Sequence, residues 1–337
     1  MVDVVENYLL KDFNTFRLPV KARYFTTLTD IAGFQDLVAL GKYDEMLILG
    51  GGSNILFTKD FDGLVIHNQL KGIEVVDENE EFVWITAKAG EVWHDLVRFC
   101  VGKNWGGIEN LSLIPGSVGA APIQNIGAYG VELTDVFDHL EAVHISTGEL
   151  HLFTREDCRF AYRSSIFKQD FKGKYLISSV TLKLNKLPCF HLEYGDVQRK
   201  LEQLGYDIPT VSAVSEAICQ IRNSKLPNPA ELGNCGSFFK NPEISPELFG
   251  QLQTANPGIP NFSAPNGLIK IPAAWLIEQC GFKGKSMGNT GTYVHHALVI
   301  VNYGKASGEE IRDFALLMQK TVQNRFGILL EPEVNIL

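Results

Sequence analysis

Ser237 lies in Gly233-Asn234-Cys235-Gly236-Ser237-Phe238-Phe239-Lys240-Asn241-Pro242, with its hydroxyl between a glycine and two aromatic rings able to exclude water. That setting makes it a candidate proton donor; the competing reading is a serine that caps a turn. Cys235 competes as an acid, but nothing near it in sequence marks a thiolate site. Arg163, in Tyr162-Arg163-Ser164-Ser165, carries the planar fork that grips a carboxylate through two parallel bonds, although an isolated arginine is more often a surface charge. Glu333, in Glu331-Pro332-Glu333-Val334, sits in an apolar terminal strand, where a carboxylate is either paired or functional.

Two further segments have the composition of ligand-holding loops. Gly50-Gly51-Gly52-Ser53-Asn54 follows a short apolar strand, and its lack of side chains lets backbone N–H groups approach a diphosphate; the alternative is a plain glycine turn. It is not the dinucleotide fingerprint, because Ile55 occupies the third glycine position. Gly284-Lys285-Ser286 ends like a phosphate-binding P-loop, but Gln279 stands where that motif requires its first glycine, so a P-loop NTPase is excluded. More distinctive is Ile114-Pro115-Gly116-Ser117-Val118-Gly119-Ala120-Ala121-Pro122-Ile123-Gln124-Asn125-Ile126-Gly127-Ala128-Tyr129-Gly130. Its small residues leave room for a large flat ligand, while Gln124, Asn125 and main-chain groups can bond the polar edge. Any three residues of it would read as a structural turn; the whole string does not.

The elements that must carry these residues follow from periodicity. Residues 31–40 read as a helix, 46–49, 64–67 and 81–88 as strands, and 90–102 as a helix with Val92, Trp93, Leu96, Val97 and Cys100 on one face. Strands follow around 140–146 and 175–184, and Lys225-Leu226-Pro227-Asn228-Pro229 marks a boundary. Beyond it, residues 297–302 read as a strand. Ser307 and Glu310 form a capping box ahead of the stripe Ile311, Phe314, Ala315, Met318 and Val322, and Gly327 provides a C-cap. The remaining residues, 328–337, are expected to run back as an extended segment, carrying Glu333 toward the earlier domains.

Bulk properties narrow the class. At 337 residues, 45% hydrophobic and 20% charged, the chain can fill two or three domain cores. A formal net charge of -9 gives no broad basic field for nucleic acid or an anionic membrane, so anionic ligands must be gripped locally. The six cysteines stand 16 to 58 residues apart without metal-like spacing, and His295 and His296 lack neighbouring carboxylates. Reduced thiols and no metal are expected. The first twenty residues lack the pattern of a secretory leader, which favours a cytoplasmic location. The uncharged run 111–130 has the length of a membrane span but contains Pro115, Pro122, Gln124, Asn125 and four glycines, and reads as a buried loop system.

Together these strings, with Asn14-Thr15, Cys158-Arg159-Phe160, Tyr194-Gly195-Asp196 and Lys225-Leu226-Pro227, resemble the UDP-N-acetylenolpyruvoylglucosamine reductase family of peptidoglycan synthesis over nearly the whole chain. The resemblance implies an α+β architecture: a vanillyl-alcohol-oxidase-type FAD-binding fold with a third α+β substrate-binding domain. It divides the chain into FAD-binding subdomains at 1–68 and 69–226, a substrate domain at 227–326, and a C-terminal segment at 327–337 returning to the active site. It further implies that residues 50–54 and 114–130 hold FAD, and that a mobile Tyr194 covers a UDP-sugar. Arg222 and Lys225 then suit the diphosphate, and Asn241, Lys283 and His296 are similar in position to nucleotide-contacting residues. The implied reaction is reduction of UDP-N-acetylglucosamine enolpyruvate by NADPH through FAD. Hydride passes from flavin N5 to C3, Ser237 protonates C2, and Arg163 and Glu333 orient or polarise the carboxylate. In one respect the chain departs from the family pattern: Asn335 stands where members usually carry an arginine, which alters the surroundings of Glu333. The rival readings are an FAD oxidase of a small alcohol or sugar, and a non-catalytic UDP-sugar binding protein. A monomer is the default expectation.

Overall fold

A computed structural model describes residues 2–194 and 196–337, and of Asn266 the backbone alone. Gly195 of the tyrosine segment and Met1 lie outside the described residues. The chain forms two compact units. The first comprises residues up to Tyr8 with Lys21–Gly52 and Phe61–Ser224; the second comprises Leu9–Val20, Ser53–Asp60 and Lys225–Leu337.

The first unit holds two sheets. One runs in the order Val5–Leu9, Lys21–Leu28, Phe61–Asn68, Met46–Leu49, and its last three strands are parallel. Parallel strands need a crossover, and the helix Ile31–Ala39 supplies the one from Lys21–Leu28 to Met46–Leu49, on the other side of Phe61–Asn68. Asp30 caps this helix by accepting from the Gly33 N–H at 2.8 Å, while Phe34 and Leu37 bury against Leu28, Leu64 and Ile66. Met46–Leu49 ends in the glycine run at its carboxyl end, the edge where open parallel sheets bind ligands.

The other sheet is antiparallel, in the order Leu150–Thr154, Phe137–His144, Tyr175–Asn185, Phe82–Lys88, Ile73–Glu78. Its central strand is buried from residue 176 through 182, as a strand covered on both faces must be. The helix Trp93–Gly102 buries Trp93, Leu96, Val97 and Cys100. Val92, expected on that stripe, is instead the extended N-cap residue, because the helix begins one position later. Residues 111–130 form neither a span nor a helix but two 3-10 turns, Val118–Ala120 and Pro122–Gln124, and a short hairpin of Gly127–Ala128 with Val131–Glu132. No helix among the described residues is long and apolar enough to cross a membrane.

The second unit is built on an antiparallel sheet ordered Gly233–Ser237, His296–Asn302, Thr290–Tyr293, Ser286–Met287, with helices Pro246–Ala255, Ala273–Gln279 and Gly308–Phe326. Phe238, Phe239, Phe282, Phe314 and Met318 fill its core. Buried asparagines stitch in the distant segments. Asn14 bonds the backbone of Leu10 and Leu18, Asn302 donates to the Phe16 carbonyl at 2.8 Å, and Asn234 holds Pro227 and Leu232. The helix Gly308–Phe326 carries the capping box read from sequence: Ser307 accepts from the Glu310 N–H at 3.1 Å, the Glu310 carboxylate accepts from the Ser307 N–H at 2.7 Å, and Gly327 closes the helix at φ 69. Ser307→Ala is expected to cost about 0.5–2 kcal/mol, seen as a lower urea midpoint at unchanged slope.

Candidate active site

Ser237 owes its position to a break in the strand Gly233–Ser237. Pairing with His296–Asn302 shifts register between Asn234 and Ser237, and Gly236 adopts φ 73 while its N–H donates to Asn234 Oδ1 at 2.9 Å. Such a bulge re-aims the side chains beyond it, and glycine takes the left-handed turn at least cost. Cys235 is driven into the core, Ser237 is left half-buried, and the Ser237 hydroxyl forms no hydrogen bond with other described residues. Burial first, and the Glu333 carboxylate second, push the Cys235 thiol up. A thiol so disfavoured as thiolate gives up its proton poorly.

Glu333 is bound to the same turn. Its N–H donates to the carbonyl of Phe238, the residue after Ser237, at 2.8 Å. Phe239 bridges Pro332, and the Lys240 N–H donates to Glu331 O at 2.9 Å. Asn335–Ile336 pairs in parallel with Ile55–Leu56, directly after the glycine run. Lys225, Lys283 and His296 also meet in this unit. Burial, then the charges of Lys225 and Lys283, hold the His296 imidazole below its ordinary value, Glu278 opposes them, and the buried His296 Nδ1 has no hydrogen-bond partner among the described residues. Lys283 is paired with Glu278 at 2.6 Å. Asn241 spends its oxygen on the Ala273 N–H at the start of the helix Ala273–Gln279, which leaves its amide N–H groups for a ligand.

In the first unit the two small-residue loops lie back to back. A Cβ on Gly50 would fall on the Ser117 hydroxyl, and one on Gly51 would come within 3.3 Å of Gly116 Cα. The loop is tied to the sheet by Trp93 N–H to Gly116 O at 3.0 Å, Val118 N–H to Glu91 O at 2.9 Å and Gly119 N–H to Ala89 O at 2.9 Å. The N–H groups of Gly51, Gly116 and Ser117 donate to nothing among the described residues. Unused donors at a backbone junction without side chains fit a diphosphate, so these residues suit FAD.

Leu113, Asn125, Tyr129 and Arg163, four of the eight described non-glycine residues at positive φ, fall in or beside these candidate segments, where backbone strain tends to gather. Asn125 is fully buried and its amide is engaged internally with Glu132, Ala161 and the Thr134 N–H, so it offers a ligand its backbone. Gln124 accepts from Lys168 at 3.3 Å. Arg163 donates through Nη2 to Gly127 O at 2.7 Å. Arg222 is pushed below its ordinary value by burial, its Nε is buried without a partner among the described residues, and Tyr129 and Cys219 support its charge while Arg163 opposes it. Burial raises Tyr129, with Arg222 working the other way. Tyr194, 47% exposed, rests its Cβ where a side chain on Gly130 would come within 3.3 Å.

Asn110 belongs to none of the candidate motifs in the sequence. Its side chain is 1% exposed and donates to the carbonyls of Tyr129 at 2.9 Å and His191 at 2.8 Å, which joins the 114–130 loop to the segment leading to Tyr194. An asparagine beside a glutamate within an otherwise apolar stretch was the available signal. Among the described residues no cluster of histidine, cysteine or carboxylate side chains is arranged to hold a metal.

Two family models match the chain: an FAD binding domain over residues 24–154, and the UDP-N-acetylenolpyruvoylglucosamine reductase C-terminal domain over residues 228–337. The UDP-N-acetylenolpyruvoylglucosamine reductase of Amoebophilus asiaticus is 49% identical over 338 residues, covering 100% of both chains. That of Flavobacterium johnsoniae is 45% identical over 337 residues, again covering 100% of both. Among solved structures, the UDP-N-acetylenolpyruvylglucosamine reductase from Thermus caldophilus shares the fold with a TM-score of 0.68 at 23% identity, covering 100% of this chain and 98% of that one.

Proposed function

Because the chain belongs to the UDP-N-acetylenolpyruvoylglucosamine reductase family, we propose that it reduces UDP-N-acetylglucosamine enolpyruvate to UDP-N-acetylmuramate in peptidoglycan precursor synthesis, with bound FAD and with NADPH as reductant. The observation that carries the reading is the junction at Phe238: its carbonyl receives the Glu333 N–H at 2.8 Å, so a proton donor and a carboxylate are held to one stretch of backbone. FAD, when bound, supplies a two-electron relay that takes hydride from NADPH and delivers it to C3 of the enolpyruvyl group.

The chain's own residues do the rest. Ser237 protonates C2, and Arg163, through its guanidinium fork, and Glu333 polarise or orient the enolpyruvyl carboxylate. A serine hydroxyl is a poor acid, and it serves here because the carbanion at C2 is strongly basic and Ser237 is half-buried against the core. Lys225, Arg222, Asn241, Lys283 and His296 receive the nucleotide, and Tyr194 covers the sugar as a mobile lid. NADPH and the UDP-sugar react in turn, so ping-pong kinetics follow. The protein acts in the cytoplasm as a monomer.

An anaerobic absorbance experiment tests this. Purified protein should be yellow, bleach with NADPH, and recover its colour on adding UDP-N-acetylglucosamine enolpyruvate. Recovery with oxygen alone would favour an oxidase of a small alcohol or sugar, and colourless protein that binds the UDP-sugar would favour a non-catalytic binding role.

His296 gives the proposal a pH signature. Its pKa in the folded protein is below the ordinary 6.5, so the neutral imidazole contributes stability that is fully present above that value and lost as pH falls through the range below it. A diphosphate between Lys225 and Lys283 offsets their field and raises the imidazole pKa. Binding should then take up protons and tighten as pH falls through the range below the ordinary 6.5. Calorimetry in buffers of different ionisation enthalpy would detect this uptake, which His296→Gln should abolish; equal uptake in the variant would remove His296 from the site.

A further inference from the structure

Residue 335, where this chain carries asparagine, makes contacts that bear on Glu333. The Asn335 N–H and the Asn335 side-chain Nδ2 both donate to the carbonyl of Asn54, each at 3.1 Å. Asn54 answers with its own side chain, donating through Nδ2 to the carbonyl of Glu333 at 3.2 Å. The bonds close a ring across the short parallel pairing of Asn335–Ile336 with Ile55–Leu56. Two-residue pairings hold little by themselves. The Asn54 carbonyl has two lone pairs, and Asn335 supplies a donor to each. Asparagine suits the place because its short amide reaches the same acceptor as its own backbone N–H; aspartate of the same shape would set an oxygen against the Asn54 carbonyl.

The consequence falls on Glu333, whose peptide groups are now bonded on both sides: N–H to Phe238 O, beside Ser237, and C=O from Asn54 Nδ2. We propose that Asn335, acting through Asn54, is the positioning residue that sets the Glu333 carboxylate relative to Ser237. The proposal rests on the reductase reading above, in which Glu333 acts on the bound enolpyruvyl group. It also makes Asn54, the last residue of the glycine-run loop, the direct support of the Glu333 main chain from which the carboxylate projects.

A residue that only tied down the tail would behave differently. The tail has a separate tie of that kind: Thr58 donates to Leu337 O through its N–H at 2.8 Å and its hydroxyl at 2.6 Å. Thr58→Val should therefore lower the melting temperature while leaving both half-reactions at the wild-type rate.

The test compares the two half-reactions of the flavin-loaded protein by anaerobic stopped flow. Asn335→Ala should leave bleaching by NADPH within about 2-fold of wild type and slow reoxidation by UDP-N-acetylglucosamine enolpyruvate by about 10- to 100-fold, the scale of a small misplacement of a reacting group. Its kcat should fall while KM for the UDP-sugar stays nearly constant. Asn335→Asp should behave alike, and serves if the alanine variant folds poorly. In a Glu333→Gln background, Asn335→Ala should add little further loss, since its effect passes through that carboxylate. Reoxidation at the wild-type rate, or equal loss in both half-reactions, would overturn the proposal. If the wild-type protein itself fails to reduce the UDP-sugar, the functional reading falls instead. Hydrogen exchange then decides the clamp separately: Asn335→Ala should speed exchange of the Glu333 amide without affecting the strand Gly233–Ser237, and an unchanged Glu333 amide would refute the clamp.

Discussion

Ser237→Ala is expected to slow reoxidation of the reduced flavin by UDP-N-acetylglucosamine enolpyruvate by about 100- to 10,000-fold, the range over which a positioned proton donor contributes. Bleaching by NADPH should proceed at the wild-type rate, because that half-reaction needs no proton at C2. The size of the loss depends on whether another acid can stand in. Cys235 is the nearest candidate in sequence, but it points into the core, and burial with the Glu333 carboxylate pushes its thiol up. Removing the hydroxyl should cause little structural damage, since the Ser237 hydroxyl bonds to no described residue and the bulge is held by Gly236 and Asn234. A variant that melts like wild type yet reoxidises more than about 100-fold slower would assign the proton to Ser237. Unchanged reoxidation would move it to another group or to water.

Gly50→Val should produce the second large effect, this time on the cofactor. A Cβ here would displace the hydroxyl of Ser117 and lie 3.1 Å from its Cβ, a tight contact before any branch is added. A branched side chain must push the 50–52 turn away from the 116–119 turn, and overpacking of this kind costs about 1–3 kcal/mol. If that cost falls on the bound state, FAD dissociates about 5- to 150-fold more readily, at the usual conversion of free energy to affinity. The protein should then purify pale, regain colour only with excess FAD, and keep its far-ultraviolet circular dichroism. The control is Gly258→Ala, at a glycine with open space around it, which should remain fully yellow. A Gly50→Val protein retaining stoichiometric flavin would show that this junction does not carry the cofactor.

The sequence by itself determined the features whose causes are local. The helix Gly308–Phe326 was legible from its capping box, stripe and terminal glycine, because each acts within a few residues. The strands Met46–Leu49, Phe82–Lys88 and His296–Asn302 were legible from apolar patterning. The strand Lys21–Leu28 was not, since alternating basic residues mask its buried positions, nor was the helix Val211–Lys225, where serines and a glutamate interrupt the stripe. The family was legible because long strings carry it, and the candidate residues came with those strings.

Only the tertiary structure decided what each candidate side chain has left to offer. It engaged the Asn125 amide internally, buried Cys235 while leaving Ser237 partly exposed, gathered Lys225, Lys283 and His296, and placed residues 53–60 in the unit that contains residues 225–337. The bond from Asn335 to Asn54 joins residues 281 positions apart. Patterning specifies which face of an element is apolar, but a pairing across that span is chosen by how whole elements pack once the cores have formed, and no local signal encodes it.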